Sequence, residues 1–80
     1  MEKQIVGMWL VEAPEKIRFP PEYFKELKEI EKFYNDRIER IRRVKLRLEK
    51  GIDNLYRKKE QEIRLLQKKY LLKMGVKVIA

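Results

Sequence analysis

Gly51-Ile52-Asp53-Asn54 separates two long stretches of mixed charged and apolar residues, and its reading decides the fold. A Gly followed by Asp and Asn has the chemistry of one helix ending and another beginning. Gly51 then serves as the C′ residue of the first helix and Asp53 as the N-cap of the second. The competing reading is one continuous helix that tolerates a single Gly at a cost of about 1 kcal/mol. It draws support from Ile52, Leu55, Lys59, Ile63, Leu66 and Tyr70, which continue the upstream apolar stripe nearly in phase. Geometry favours the break. Folding at Gly51 lays 53–73 back along 31–50 and gathers both apolar ends of the chain into one cluster. A straight helix of about 50 residues would hold those ends about 75 Å apart.

Upstream, Leu27, Ile30, Tyr34, Ile38, Ile41, Val44 and Leu48 recur every three or four residues, the spacing of one helix face. Oppositely charged pairs four apart support it: Asp36 with Arg40, Glu39 with Arg43, and Glu60 with Arg64 downstream. Pro20-Pro21 opens the first helix, and Glu22 and Glu26 place negative charge on its positive end. Residues 1–20 are strand-like. Gln4 to Val11 is rich in β-branched and aromatic residues, Ala13-Pro14-Glu15-Lys16 supplies a turn, and Lys16-Ile17-Arg18-Phe19 alternates polar and apolar. These two runs predict a β-hairpin, and Val76–Ile79 is placed to add a third strand. The expected protein is a single small domain of mainly α class. It comprises a β-hairpin (1–20), a long antiparallel, coiled-coil-like helical hairpin (21–50 and 53–73) and a strand-like tail (75–80).

Composition limits the chemistry. In 80 residues there is no Ser, Thr, His or Cys, and only two Asp, Asp36 and Asp53. Disulfides, thiolate or hydroxyl nucleophiles, imidazole bases and sulfur- or imidazole-based metal sites are therefore excluded. No spacing marks a carboxylate pair or a desolvated Lys as a catalytic site, so the expectation is a non-enzyme with no cofactor, no metal and no small-molecule substrate. Abundant Glu, Lys, Arg and Ile with few thermolabile types follows the pattern of hyperthermophile proteins; a long solvated helix enriches the same residues. Ile5–Val11, the longest apolar run, is about a third of a membrane span and lacks the flanks of a signal peptide, so a cytoplasmic protein is the default expectation.

The net charge of +8 is localised. Residues 37–69 carry thirteen Lys/Arg against five acidic residues, whereas 21–36 carry three against five. Arg40, Arg43, Arg47 and Lys50 form a stripe, and Arg57, Arg64 and Lys68 a matching line. Arg37, Arg42, Lys45, Lys58, Lys59 and Lys69 widen the surface. A basic stripe on a rigid helix is the electrostatic footprint of a phosphate-backbone binder, DNA or RNA, and the preference for Arg over 37–47 suits bidentate phosphate contacts. The alternative is a coiled-coil adaptor whose stripe docks on an acidic protein partner. An anionic membrane fits less well, because the apolar stripe is needed for the core. Tyr56 is a candidate for base stacking, or else packs beside Leu55. Tyr34 and Tyr70 are core. Trp9 anchors the β element on the helices or, if exposed, belongs with Val76, Val78 and Ile79 to a partner-binding face. Lys59 interrupts the apolar stripe and either snorkels outward or marks a partner contact.

No zinc finger, helix-turn-helix, Walker loop or RNA-binding signature is present, so any binding should follow backbone and shape. Trp9-Leu10, followed by Phe19-Pro20-Pro21-Glu22-Tyr23-Phe24, resembles the junction of small β and helical domains in subunits of the GINS replication complex. The resemblance covers 16 residues, Trp9 to Phe24, and the chain is well short of a complete subunit of that kind. It implies a replication-type accessory subunit. A core this small further implies a homo-oligomer or a larger host complex.

Overall fold

The computed structural model describes residues 2–43 and 49–80. Its elements are β1 (Glu2–Val6), β2 (Trp9–Ala13), α1 (Pro21–Arg43), α2 (Glu49–Lys73) and β3 (Lys77–Val78). The two helices pack against each other, and the longest dimension of 51 Å is incompatible with one straight helix. The helical hairpin, the N-terminal β-hairpin and the C-terminal strand are all present. Their boundaries differ from expectation in two places.

The first concerns Gly51. It lies inside α2, which begins at Glu49 and runs through Asp53 without interruption. The chain therefore passes from α1 to α2 upstream of Gly51, and Val44, Lys45, Arg47 and Leu48 fall outside the described residues. The stop chemistry assigned to Gly51 belongs to Gly75. Gly75 takes φ 72°, its amide donates to the Leu72 carbonyl (3.1 Å), and the Val76 amide reaches back to Leu71 (3.0 Å). These two bonds and the buried contact of Val76 with Leu71 make a Schellman cap. The apolar stripe decides between the two glycines: it continues past Gly51 with Ile52 and Leu55 and ends before Gly75.

The second concerns the β-hairpin. Gln4–Val11 is not one strand, because the chain reverses within it at Gly7-Met8. Gly7 adopts φ 62°, the left-handed conformation that two-residue loops require. Register pairs Val6 with Trp9 and Glu2 with Ala13, and β3 adds antiparallel to β2 with Val78 opposite Val11. Lys16–Phe19 forms no strand. The Gln4 side chain holds it instead, donating to the Glu15 carbonyl (2.8 Å) and accepting from the Ile17 amide (3.0 Å).

The sheet packs its inner face, Val6, Trp9, Val11 and Ala13, on Leu71 and Val76. A second cluster, Tyr23, Leu66 and Tyr70, lies between the helices, and Phe19 touches both. Phe19 stacks on Tyr23 at 4.0 Å between centroids, and Tyr23 meets Tyr70 edge-on at 5.8 Å. Tyr34 and Tyr70 are buried as expected. Gln67 is the one buried polar residue of the described core. Its Oε1 accepts from the Met8 amide (2.9 Å) and its Nε2 donates to the Tyr23 hydroxyl (2.9 Å), tying the β-turn, α2 and α1 together. Among the described residues, no helix is long and apolar enough to cross a membrane.

Candidate nucleic-acid interface

Moving the reversal ahead of Glu49 changes where the basic residues meet α1. Lys69 comes alongside Glu26, with Nζ 3.7 Å from Oε1, rather than beside the tip half of α1. The basic segment of α2 thus runs from the tip of the helical hairpin to the sheet, not over the distal half alone. Arg57, Arg64 and Lys68 are spaced seven and four residues apart and share one exposed face of α2. Arg57 and Arg64 line a shallow hollow of about 270 Å³ with Met8, Glu60 and Gln61. The Arg64 guanidinium sits 4.4 Å from the Trp9 ring centroid and the Lys68 ammonium 5.3 Å from it. Arg64 is thereby drawn to Trp9, and no Glu60–Arg64 ion pair forms among the described residues.

The α1 stripe does not continue this row. Arg40 and Arg43 project from the outer side of α1, where they share a hollow with Asp36 and Glu39 and with no residue of α2. Arg43 forms the expected pair with Glu39 (2.9 Å). Since each stripe faces away from the opposite helix, the two lie back to back rather than as one surface. Arg37 covers the Phe33 ring at 4.3 Å. Arg42 donates to the Tyr56 hydroxyl (3.2 Å) across the helix pair, so Tyr56 is a bridge that stays 40% exposed as a residue. Lys58 is exposed. Lys59 snorkels to the flank and donates to Asn35 Oδ1 (3.1 Å). Lys45 and Arg47 lie outside the described residues, and Lys50 stands in the first turn of α2.

Two residues assigned to a partner-binding face are core. Trp9 is buried and its Nε1 donates to the Arg64 carbonyl (2.8 Å); Val76 is buried against Leu71. Both are drawn inward because the sheet has only α2 on which to bury its apolar side. Val78 is half-buried opposite Val11, and Ile79 is exposed. Ile79 joins Leu10 and the strongly exposed Ile5 on the outer sheet face, a group that Ile5–Leu10 pairing and the Ile79-to-Leu10 backbone bond bring together. Sequence reasoning missed Gln67 as a core residue, since its side chain is polar. The one signal was its position one residue beyond Leu66, on the edge of the apolar stripe.

Charge also shapes the proximal end. The neighbouring Glu26 carboxylate, and then burial, push the Tyr70 hydroxyl up to about 12. Tyr70, opposed by burial and aided by Lys69, holds the Glu26 carboxyl below its usual value. The contact is looser than a formed hydrogen bond, because Glu26 Oε2 is buried without a partner. The folded protein holds the Tyr70 proton more tightly than the unfolded chain, whose tyrosine titrates near 10. This contribution is therefore intact below about pH 10 and is lost as pH rises toward about 12. A phenolate absorbance titration should show a late step that Tyr70→Phe removes. A step unchanged in Tyr70→Phe would place the high value elsewhere.

Compared with protein-family models, curated proteins and solved structures, the sequence matches none. The resemblance to a replication-complex subunit rests on Trp9–Phe24 alone.

Proposed function

We propose that this chain is a non-catalytic accessory or structural subunit of a nucleoprotein assembly, contacting DNA or RNA phosphates without strong sequence preference. The observation that carries this reading is the exposed row Arg57, Arg64 and Lys68 within a segment holding thirteen basic and five acidic residues. A solvated helix face mixes its charges to stay soluble, whereas a row of one sign on a rigid helix raises the local potential that attracts a polyanion. Arg64 is held over Trp9, so its guanidinium is presented with part of its rotamer freedom already lost. The Trp9–Phe24 resemblance favours a replication-type assembly as host. The outer sheet face, with Ile5, Leu10 and Ile79, is where that host would be met.

Fluorescence anisotropy against random duplex and single strands tests it. Binding should be measurable at about 50 mM salt and weaken linearly on a logarithmic salt axis, with a slope near 0.9 for each duplex phosphate neutralised. Arg57→Glu, Gln61→Glu and Lys68→Glu together should reduce that slope by roughly two and weaken binding at least about tenfold. These positions leave the Trp9–Arg64 contact in place. Absence of binding at low salt, or a triple variant that binds as the parent does, would overturn the reading. Salt-sensitive binding to polyglutamate without binding to nucleic acid would establish the adaptor alternative.

A further inference from the structure

The basic row contains one residue that phosphate binding does not explain. Glu60 lies three residues beyond Arg57 and four before Arg64, on the same exposed face of α2. Among the described residues its carboxylate forms no ion pair. It lines instead the hollow of about 270 Å³ that it shares with Met8, Arg57, Gln61 and Arg64. This hollow is the step where the sheet stops on α2. Its wall is the Gly7-Met8 turn, fixed by the bond from the Met8 amide to Gln67 (2.9 Å), and its floor is α2. Two groups there suit a flat ligand. Met8 is 45% exposed, and the exposed Arg64 has its guanidinium held over Trp9 at 4.4 Å, which leaves one side of that plane to offer.

We infer that this hollow binds one unpaired guanine base of a nucleic-acid strand whose phosphates follow the basic row. This rests on the phosphate contact proposed for the row and adds a base contact to it. A guanidinium plane stacks on a base as an aromatic ring does, and Met8 supplies an apolar contact beside it. A base within a duplex has its faces stacked and its Watson–Crick edge occupied, so only an unpaired one can enter. Guanine is the base that matches the polar groups. Its N1–H and N2 amino group are adjacent donors for the two oxygens of one carboxylate, Glu60, and its O6 accepts from the Gln61 amide. Adenine and cytosine set an acceptor next to their amino group, and thymine and uracil place acceptors on both sides of a single N–H. Each of these would turn a lone pair toward Glu60. Arg57 and Lys68, on either side of Arg64 along the row, then serve the flanking phosphates.

Fluorescence anisotropy on the full chain tests this with labelled oligo-dT strands that carry a central guanine, a central inosine or neither. The guanine strand should bind about tenfold tighter than oligo-dT. Inosine lacks the N2 amino group and should lose most of that gain. All three should share one salt slope, because they carry the same phosphates. Pairing each strand with its complement should abolish the difference between guanine and inosine. Glu60→Gln separates base contact from phosphate contact. It should erase the guanine preference, while oligo-dT binds as before or tighter because a negative charge has left the row. Arg64→Lys keeps the charge, and so the slope, but loses the stacking plane and should lower the preference too. Free guanosine monophosphate should displace the guanine strand only at far higher concentration than the strand itself. A nucleotide that binds as tightly as the strand overturns the assignment to a strand. A guanine strand that binds no better than oligo-dT, or a preference that survives Glu60→Gln, overturns the base site and leaves the phosphate contact standing. Absence of binding by every strand at low salt overturns both.

Discussion

Trp9→Ala is expected to lower the unfolding free energy by about 3–5 kcal/mol, the usual cost of emptying a large aromatic site in a core. The ring is buried among Val6, Val11, Ala13, Leu71 and Val76, and it supplies much of the surface by which the sheet holds α2. Its Nε1 also satisfies the Arg64 carbonyl, and Arg64 and Lys68 cover its outer side. A domain of 80 residues typically has about 4–12 kcal/mol in total, so this single change consumes a large share of it. Trp9→Phe keeps most of the apolar volume and loses the indole donor, and should cost about 1–2 kcal/mol. Urea unfolding followed by far-UV circular dichroism reads both values. A Trp9→Ala loss below about 1 kcal/mol would mean that the sheet is held by something other than this ring.

Gly7→Ala should cost about 2–4 kcal/mol, an effect out of proportion to one methyl group on an exposed turn. Two terms add. The backbone at Gly7 has φ 62°, where a Cβ costs about 1–2 kcal/mol. That Cβ would also fall 2.5 Å from Gln67 Oε1, so the Gln67 amide must leave its place. Its departure strands the Met8 amide and the Tyr23 hydroxyl, whose hydrogen bonds are worth about 1 kcal/mol each. In a Gln67→Ala background the steric term disappears and only the dihedral cost remains, so the two changes should be strongly non-additive. Additive costs in a double-mutant cycle would show that the turn and the core amide are not coupled.

How much of this was legible beforehand depends on the range of the interaction. Periodicity is local, so the spacing of Leu27, Ile30, Tyr34 and Ile38 identified α1 and its buried face directly. Leu66 and Tyr70 did the same for α2. Glycine is ambiguous. Gly7, Gly51 and Gly75 are each compatible with a turn or a stop, and only packing separates them. Gly51 stays helical because Ile52 and Leu55 remain partly buried on the helix pair. Gly75 ends α2 because Val76 must turn back onto Leu71. Lys16–Phe19 has a strand-like pattern, yet Gln4 takes its backbone groups before any ladder can form.

The basic site shows the same division. Which residues are basic, and that they concentrate in 37–69, is a property of the chain alone. Whether they share a surface is not. Displacing the reversal by a few residues slides α2 along α1 and brings Lys69 beside Glu26, and the two Arg stripes lie back to back because each faces away from the opposite helix. By itself the sequence determined two amphipathic helices folded on each other, an aromatic core and a charge confined to one segment. Helical periodicity and electrostatics depend on neighbours close along the chain. Only the tertiary structure decided which glycine turns the β-strands, where α2 stops, that Trp9 faces inward and which cations share an edge. Each of these is settled by contacts between residues far apart in sequence, such as Gly7 with Gln67 and Trp9 with Arg64.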